Sequence, residues 1–217
     1  MSFHIAPRYC AAVRDEDLVL LDLAAGDYAC APGAAAGLDL NPSTQTVAAA
    51  PSDLAAQMLE AGVLRPGPGD RPPMAFPPRP AADLGLVRHS PARLADLPAL
   101  AGGLCDMVGG YWGAGFPAIL RRARRRQAAP LRRGPADEVA ALARRFADLL
   151  PWAPFPGDCL FRALLLQAVL RRRGFAATLV IGVQTWPFEA HAWVQADDLA
   201  LDDGQDHAGG FTPILAL

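Results

Sequence analysis

The run Pro154-Phe-Pro-Gly-Asp-Cys-Leu-Phe-Arg-Ala-Leu-Leu-Leu-Gln167 decides how the chain is read. Pro154 and Pro156 exclude a helix upstream, because proline lacks the amide hydrogen a helix interior needs and restricts the residue before it. Gly157 frees a turn, and Asp158 is a good helix cap, since its carboxylate accepts an orphan N–H of the first turn. From Leu160 to Leu170 apolar residues wrap most of the circumference, which predicts a helix buried within a domain. Arg171, Arg172 and Arg173 suit the negative end of the helix dipole, and Gly174 stops the helix. Cys159 therefore falls in the first turn, where free N–H groups and the positive dipole end favour thiolate over thiol.

A thiolate that attacks an amide needs a base, and the base needs a group to hold its tautomer. Downstream, Ala176 to Val183 is apolar and β-branched enough for a buried strand, and His191 to Gln195 alternates as a second. Asp197 and Asp198 make the turn, and Leu199 to Asp203 is expected to return as a third strand. Period two places Leu199, Leu201 and Asp203 on one face and Asp202 on the other, which selects Asp203 over Asp202 as the partner of His191. Taken singly, a cysteine is usually a small buried hydrophobe and a strand histidine is satisfied structure. The order helix-start Cys159, strand His191, following Asp203 is what points to a catalytic triad.

The chain has 217 residues, enough for one ordinary domain or two small ones, and its 52% hydrophobic content is consistent with well-developed cores. No apolar stretch reaches the roughly eighteen residues of a membrane span, and the N-terminus lacks a signal peptide's apolar middle. The cysteines at 10, 30, 105 and 159 show neither close pairing nor metal-type spacing, so no metal site is expected and a cytoplasmic protein with free thiols is the simplest account. Charge is split along the chain. Residues 1–66 carry eight acids against three arginines, whereas residues 81–217 carry thirteen acids against fifteen arginines.

The split coincides with a boundary. Residues 67–80 are proline-rich and read as an extended linker between a unit at 1–66 and one at 81–217. In the first unit, Tyr9 to Val13, Leu18 to Leu23 and Tyr28 to Cys30 read as three short strands separated by polar turns, with Val19 and Leu21 on one face. Thr44 to Ala50 suggests a short helix. Asp53 onward suggests another, with Ser52 as cap and Leu54 and Met58 near one face. An acidic balance with only Arg8, Arg14 and Arg65 argues against nucleic acid, because phosphate contacts need basic side chains.

From Ala81 to Trp152 the chain reads as helical. Ser90 caps one segment carrying Leu94, Leu97 and Leu100, Gly109 and Gly110 interrupt, and Trp112 to Gln127 continues with a kink at Pro117. Pro135 opens a further helix with Val139, Leu142 and Phe146 at helical spacing. The seven arginines from Arg121 to Arg133 are either a solvated helix face or a site for an acidic partner, an acidic peptide or a nucleotide's phosphates. His207 follows the strands and reads as a loop residue, and Phe211 to Leu217 as an edge strand.

Three motifs carry a family resemblance. Cys-Leu-x-Arg at 159–162, Gly-Phe-Ala-Ala-Thr-Leu-Val-Ile-Gly-Val at 174–183 and Pro-Phe-x-Ala-His-Ala-Trp-Val at 187–194 resemble the lasso-peptide biosynthesis B proteins. Those are transglutaminase-like cysteine peptidases that remove the leader from a precursor peptide. The resemblance covers about residues 81–217 and implies a nucleophile at Cys159, a base at His191 and an orienting acid at Asp203. Ala163 departs from the pattern, many relatives having serine there. The three strands followed by helices at 1–66 resemble the winged helix-turn-helix recognition element that is fused to many such proteins and binds leaders. That resemblance implies a leader added as a strand beside the third strand, with Tyr28, Ala29, Cys30, Leu54 and Met58 as candidates for the groove.

The expected fold class is thus α+β, with a small winged helix-turn-helix-like domain before a transglutaminase- or papain-like peptidase domain. The expected function is hydrolysis of one bond in a ribosomally made lasso precursor. The alternatives are acyl transfer by the same triad, as in transglutaminases, and a noncatalytic precursor-binding chaperone. The resemblance implies an asparagine-synthetase-type cyclase as partner. It also allows ATP-dependent stimulation of cleavage, although the chain holds no Gly-x-x-x-x-Gly-Lys loop and the chemistry needs no metal or organic cofactor.

Overall fold

A computed structural model describes residues 2–36, 38–49, 53–85, 91, 93–111, 113–127, 134–152 and 157–217. Pro154, Pro156, Ser52, Ser90, Trp112, Arg132 and Arg133, each included in the expectations above, lie outside the described residues. Among the described residues, no helix is long and apolar enough to cross a membrane.

The first part contains β1 (Ser2–Ile5), β2 (Tyr9–Arg14), β3 (Asp17–Asp22), β4 (Tyr28–Ala31), β5 (Leu38–Asn41), β6 (Thr46–Ala49), α1 (Asp53–Glu60) and β7 (Leu64–Pro66). The three expected strands form an antiparallel sheet in the order β2-β3-β4, with Arg14 opposite Asp17 across a two-residue turn whose Asp15 has φ 53. A second sheet, β5-β6-β1-β7, was not foreseen. Its strands are only three or four residues long, too short to show the alternation that marks a strand in sequence. The Thr44–Ala50 helix is corrected to β6, which pairs with both β1 and β5. Alanine favours a helix in isolation, but two neighbouring strands override that weak propensity. Val63 and Leu64 do not leave the unit, because β7 returns to pair with β1. Of the helices expected after the three strands, the described residues hold one, α1.

Both faces of the β2-β3-β4 sheet are covered. Ala11 and Leu18 pack with Ile5, Val47, Ala55, Met58 and Leu64 toward the second sheet. Cys10, Ala12, Val19 and Leu21 enter the same apolar cluster as Phe146, Leu165, Val183 and Ile214 of the later chain. Gln45, only 1% exposed, joins the two early sheets. Its side chain accepts from Ala11 N at 2.6 Å and donates to Ala11 O at 3.0 Å, replacing the backbone partner a neighbouring strand would supply.

Residues 67–80 form no helix or strand and are pinned to their surroundings. Arg71 donates to Tyr9 O at 2.8 Å, Ser43 donates to Met74 O at 2.7 Å, and Gln195 donates to Pro78 O at 2.6 Å.

The later part begins with a 3-10 turn at Leu94–Asp96, then α2 (Leu97–Val108), α3 (Phe116–Gln127) and α4 (Ala136–Leu149). Leu94 and Leu97 are exposed, so the apolar face expected through them is not the one that packs. Pro117 lies in the first turn of α3, where its missing N–H costs nothing, and it starts a helix instead of kinking one. Next come α5 (Cys159–Arg172), β8 (Thr178–Gln184), β9 (Glu189–Ala196), β10 (Leu199–Ala200), the one-turn α6 (Gln205–Ala208) and β11 (Thr212–Ala216). The sheet is antiparallel in the order β10-β9-β8-β11, so the last strand takes the edge as expected.

Helix α5 lies between this sheet and α2, its interior made of fully buried Leu165, Leu166 and Leu170. Each such leucine contributes about 1.5–3 kcal/mol by leaving water. A side chain at Gly103 would meet Leu165 and Val169, and its absence lets α2 approach α5 closely. The expected third strand is shorter than its pattern. β10 ends at Ala200, and Leu201 to Asp203 bend away.

Candidate active site

The sequence places a cysteine at a helix start, and the fold turns that start toward the sheet. Asp158 caps α5 in extended conformation, its carboxylate accepting from Phe161 N at 2.8 Å. The amides of Cys159 and Leu160 occupy the first turn, where a helix supplies no acceptor of its own. His191 is on β9 opposite Gly182 of β8, and it meets Cys159 through a side-chain hydrogen bond. His191 Nε2 donates to Asp203 Oδ2 at 2.9 Å, which leaves Nδ1 for the sulfur. Three side chains far apart in the chain are thereby brought into one line.

Charge in this line follows from its contacts. The hydrogen bond from His191 pulls the Cys159 thiol below its ordinary range, against partial burial, and the Ala192 backbone amide adds a second hydrogen bond. Burial opposes charge on His191, but the hydrogen bonds to Asp203 and Cys159, with their charges, raise it to about 9. Burial likewise opposes charge on Asp203, while the bonds from His191 and His207 hold its carboxyl below the usual range. These directions favour a thiolate beside an imidazolium, the reactive form of a cysteine nucleophile.

Asp202 and Asp203 separate as the parity argument required, although by a different route. With β10 ended, Ala200 and Leu201 are both buried, so strand alternation does not reach the two aspartates. Asp202 Oδ1 instead accepts from Val194 N at 2.7 Å, and burial pushes its carboxyl up to about 7. Asp203 is left to face His191.

Several site residues escaped the sequence reading. Tyr111 donates to both oxygens of Asp158, at 2.9 and 3.0 Å, and stands edge-on to Phe161 at 5.3 Å. It precedes a glycine-rich stretch that carries no chemical pattern, so no sequence signal marks it. His207, read as a loop residue, is on α6 and bonds Asp203 at 2.8 Å. Its spacing of four from Asp203 was the available clue. His191, Asp203 and His207 bring potential metal-ligating atoms within 4.8 Å of one another, but these atoms already serve as hydrogen-bond partners inside the cluster.

The candidate groove residues divide. Tyr28, at the start of β4, contacts Phe188 with ring centroids 5.7 Å apart, and burial followed by the nearby Cys159 charge pushes its phenol up to about 12. Ala29 and Cys30 are exposed along β4, which is the outer strand of its sheet among the described residues. Leu54 is half-buried and Met58 buried, and both pack in the separate cluster with Ile5 and Leu64. Near Tyr28 the β8–β9 hairpin tip is tied to the first part of the chain, Trp186 Nε1 donating to Asp17 Oδ2 at 2.7 Å. Trp186 is 73% and Phe188 46% exposed, large apolar surface at the hairpin tip.

Comparison with known proteins bears on the family. A family model described as the transglutaminase-like superfamily matches residues 106–216, the span that contains Tyr111, Cys159, His191, Asp203 and His207. The microcin J25-processing protein McjB of Escherichia coli is 41% identical over 49 residues, 23% of this chain and 24% of that protein. The chain thus matches about a quarter of the length of that curated relative, in support of the resemblance to lasso-peptide B proteins. No solved structure matches. With the family model covering just over half of the sequence, from α2 to β11, the chain belongs to the transglutaminase-like superfamily.

Proposed function

We propose that this protein is a cysteine peptidase that removes the leader from a ribosomally made lasso-peptide precursor. The observation that carries the reading is the Cys159–His191–Asp203 line at the start of α5, together with the similarity to a microcin-processing protein. Cys159 Sγ attacks the scissile carbonyl, and the free amides of the first helical turn stabilise the oxyanion. Imidazolium His191 protonates the leaving amine. As neutral imidazole it then takes a proton from water, which attacks the thioester and releases the acid and the free thiol. Asp203 holds the ring. No step calls for a metal or organic cofactor.

In this reading residues 1–66 capture the leader, and residues 67–80 keep the captured peptide near Cys159, which raises its local concentration. The outer strand β4 leaves backbone groups to which an extended peptide can add, with Tyr28 at the end nearest the nucleophile. Leu54 and Met58 support this unit from its apolar core. An ATP-using cyclase of the asparagine-synthetase type closes the ring on the released core, and ATP stimulation of cleavage belongs to that partnership.

The test is to incubate the protein with precursor peptides encoded beside its gene and to weigh the products. Hydrolysis yields free leader and free core, whereas acyl transfer yields a crosslink or adduct. Cys159→Ala is expected to abolish release and keep precursor binding. Unchanged cleavage by that variant ends the peptidase reading, and binding without any turnover by the parent protein favours a chaperone.

A further inference from the structure

His207 is half-exposed on a helix of one turn, a place where a side chain usually points into water. Here it does not. Its Nδ1 reaches Asp203 Oδ2 at 2.8 Å, the same oxygen that accepts from His191 Nε2 at 2.9 Å, while Asp203 Oδ1 accepts from Gly204 N at 2.9 Å. A carboxylate only accepts, so both ring nitrogens carry their protons toward it. The His207 ring stands edge-on to His191 at 4.8 Å and to Phe211 at 5.2 Å. The short helix is itself held. Gln205 N donates to Asp83 Oδ2 at 2.8 Å, and Ala208 is fully buried.

We propose that His207 is a positioning residue, the fourth member of the relay, which fixes the Asp203 carboxylate so that it faces His191. The proposal rests on the reading of Cys159, His191 and Asp203 as the catalytic line. One bond from His191 leaves an aspartate free to turn about its side-chain torsions. A second donor on the same oxygen, with Gly204 N–H on the other, fixes both ends of the group.

Among the described residues, no side chain other than His191 and His207 donates to Asp203. The titratable and charged groups facing Asp203 are His191 from β9, His207 from α6 and the neighbouring Asp202, with Arg162 of α5 acting on Asp202 and Cys159 on His191. Asp202 is occupied with Val194 N. Burial works against the Asp203 charge, and His207 is one of the two imidazole donors that offset it. Removing a donor from an ionised carboxylate raises its titration point. Loss of His207 therefore moves the acid limb of Cys159 reactivity to higher pH.

The test reads Cys159 directly, without a substrate. In a Cys30→Ser, Cys105→Ser background, the rate of Cys159 alkylation by iodoacetamide is followed across pH by peptide mass spectrometry. His207→Phe keeps a ring against Phe211 and removes the donor, whereas His207→Asn keeps a donor near the Nδ1 position and removes the ring. His207→Phe is expected to lower the alkylation rate at pH 6 about tenfold, the scale of one charge-assisted hydrogen bond, and His207→Asn to stay within about threefold of the parent. On a cleaved precursor the loss falls on kcat, with KM little changed. An unchanged profile in His207→Phe, or equal damage in His207→Asn, overturns the proposal. His191→Ala separates the two levels. If it leaves the profile unchanged, the catalytic line fails and the proposal with it. If it shifts the profile while His207→Phe does not, only the role of His207 fails.

Discussion

Two antiparallel sheets meet in this molecule, and they are used differently. The β10-β9-β8-β11 sheet carries its polar residues where strands end or bend. His191 is near the start of β9, and Asp202 and Asp203 follow β10 directly. The β2-β3-β4 sheet is apolar on both faces and exposes instead the outer strand β4. The first arrangement brings polar side chains to fixed distances, while the second buries apolar surface on both faces and leaves β4 as its outer strand among the described residues. The two sheets share the apolar cluster of Cys10, Val19, Leu21, Val183 and Ile214, and Tyr28 is the β4 residue whose phenol, raised first by burial, also senses the Cys159 charge.

The contrast breaks first at the relay. His191→Ala is expected to reduce kcat/KM on the order of ten-thousandfold, because base, acid and thiolate partner are lost together. Its melting temperature should fall only modestly, since the ring packs on Phe211 and Trp193 but belongs to no apolar cluster itself. A large fall in melting temperature would mean that the histidine serves the fold before the chemistry.

The shared core gives the next effect. Leu21 is fully buried in the cluster that also contains Leu165 of α5, whereas Leu18 faces the cluster of the early sheets. Each leucine-to-alanine change is expected to cost about 3 kcal/mol in denaturant unfolding. Leu21→Ala should loosen the Cys159 environment as well, raising alkylation of the native protein at high pH, and Leu18→Ala should not. Equal effects on Cys159 would show that the two faces of β3 are not distinct.

The pH profile sharpens the account of the relay. Turnover needs thiolate and imidazolium together. With His191 raised to about 9, kcat/KM should fall on the alkaline side near that value as the ring loses its proton. With the Cys159 thiol lowered, the acid-side fall should lie below the ordinary thiol range of about 8.5, as the sulfur gains a proton. Asp203→Asn removes the charge that holds the imidazolium and should bring the alkaline limb down in pH.

How much of this was legible in the sequence depended on how long each pattern ran. The Cys159 helix was readable because proline, glycine and a capping aspartate fix its start and an unbroken apolar run fixes its burial. β8 was readable from β-branched residues and β9 from alternation. β1, β5 and β6 were not, because a strand of four residues is too short to show a period and is specified by its neighbours. In the site, Cys159, His191 and Asp203 could be picked by chemistry and order. Tyr111 could not, since its partner Asp158 is 47 residues away and only folding brings them near, while His207 left only the faint clue of its spacing of four from Asp203. The choice of Asp203 shows the limit well. Parity named the residue that bonds His191, yet the strand that parity assumed stops at Ala200, and the bend from Leu201 sets the aspartates apart.

The smallest expected effect lies at the junction of the two sheets. Tyr28→Ala removes a ring that packs on Phe188 and borders Cys159, while leaving every member of the relay in place. If β4 and its aromatic end receive the substrate, the loss belongs to binding. KM for a precursor should then rise about tenfold with kcat nearly unchanged, the scale of one aromatic contact, and Tyr28→Phe should behave as the parent. Exposed Phe188 shares the contact, so Phe188→Ala should give a similar rise in KM, and the double variant less than the product of the two. A fall in kcat with unchanged KM would instead make Tyr28 part of the nucleophile's electrostatic setting. The early sheet would then act on the chemistry itself and not on capture, and the division of labour between the two sheets would no longer hold.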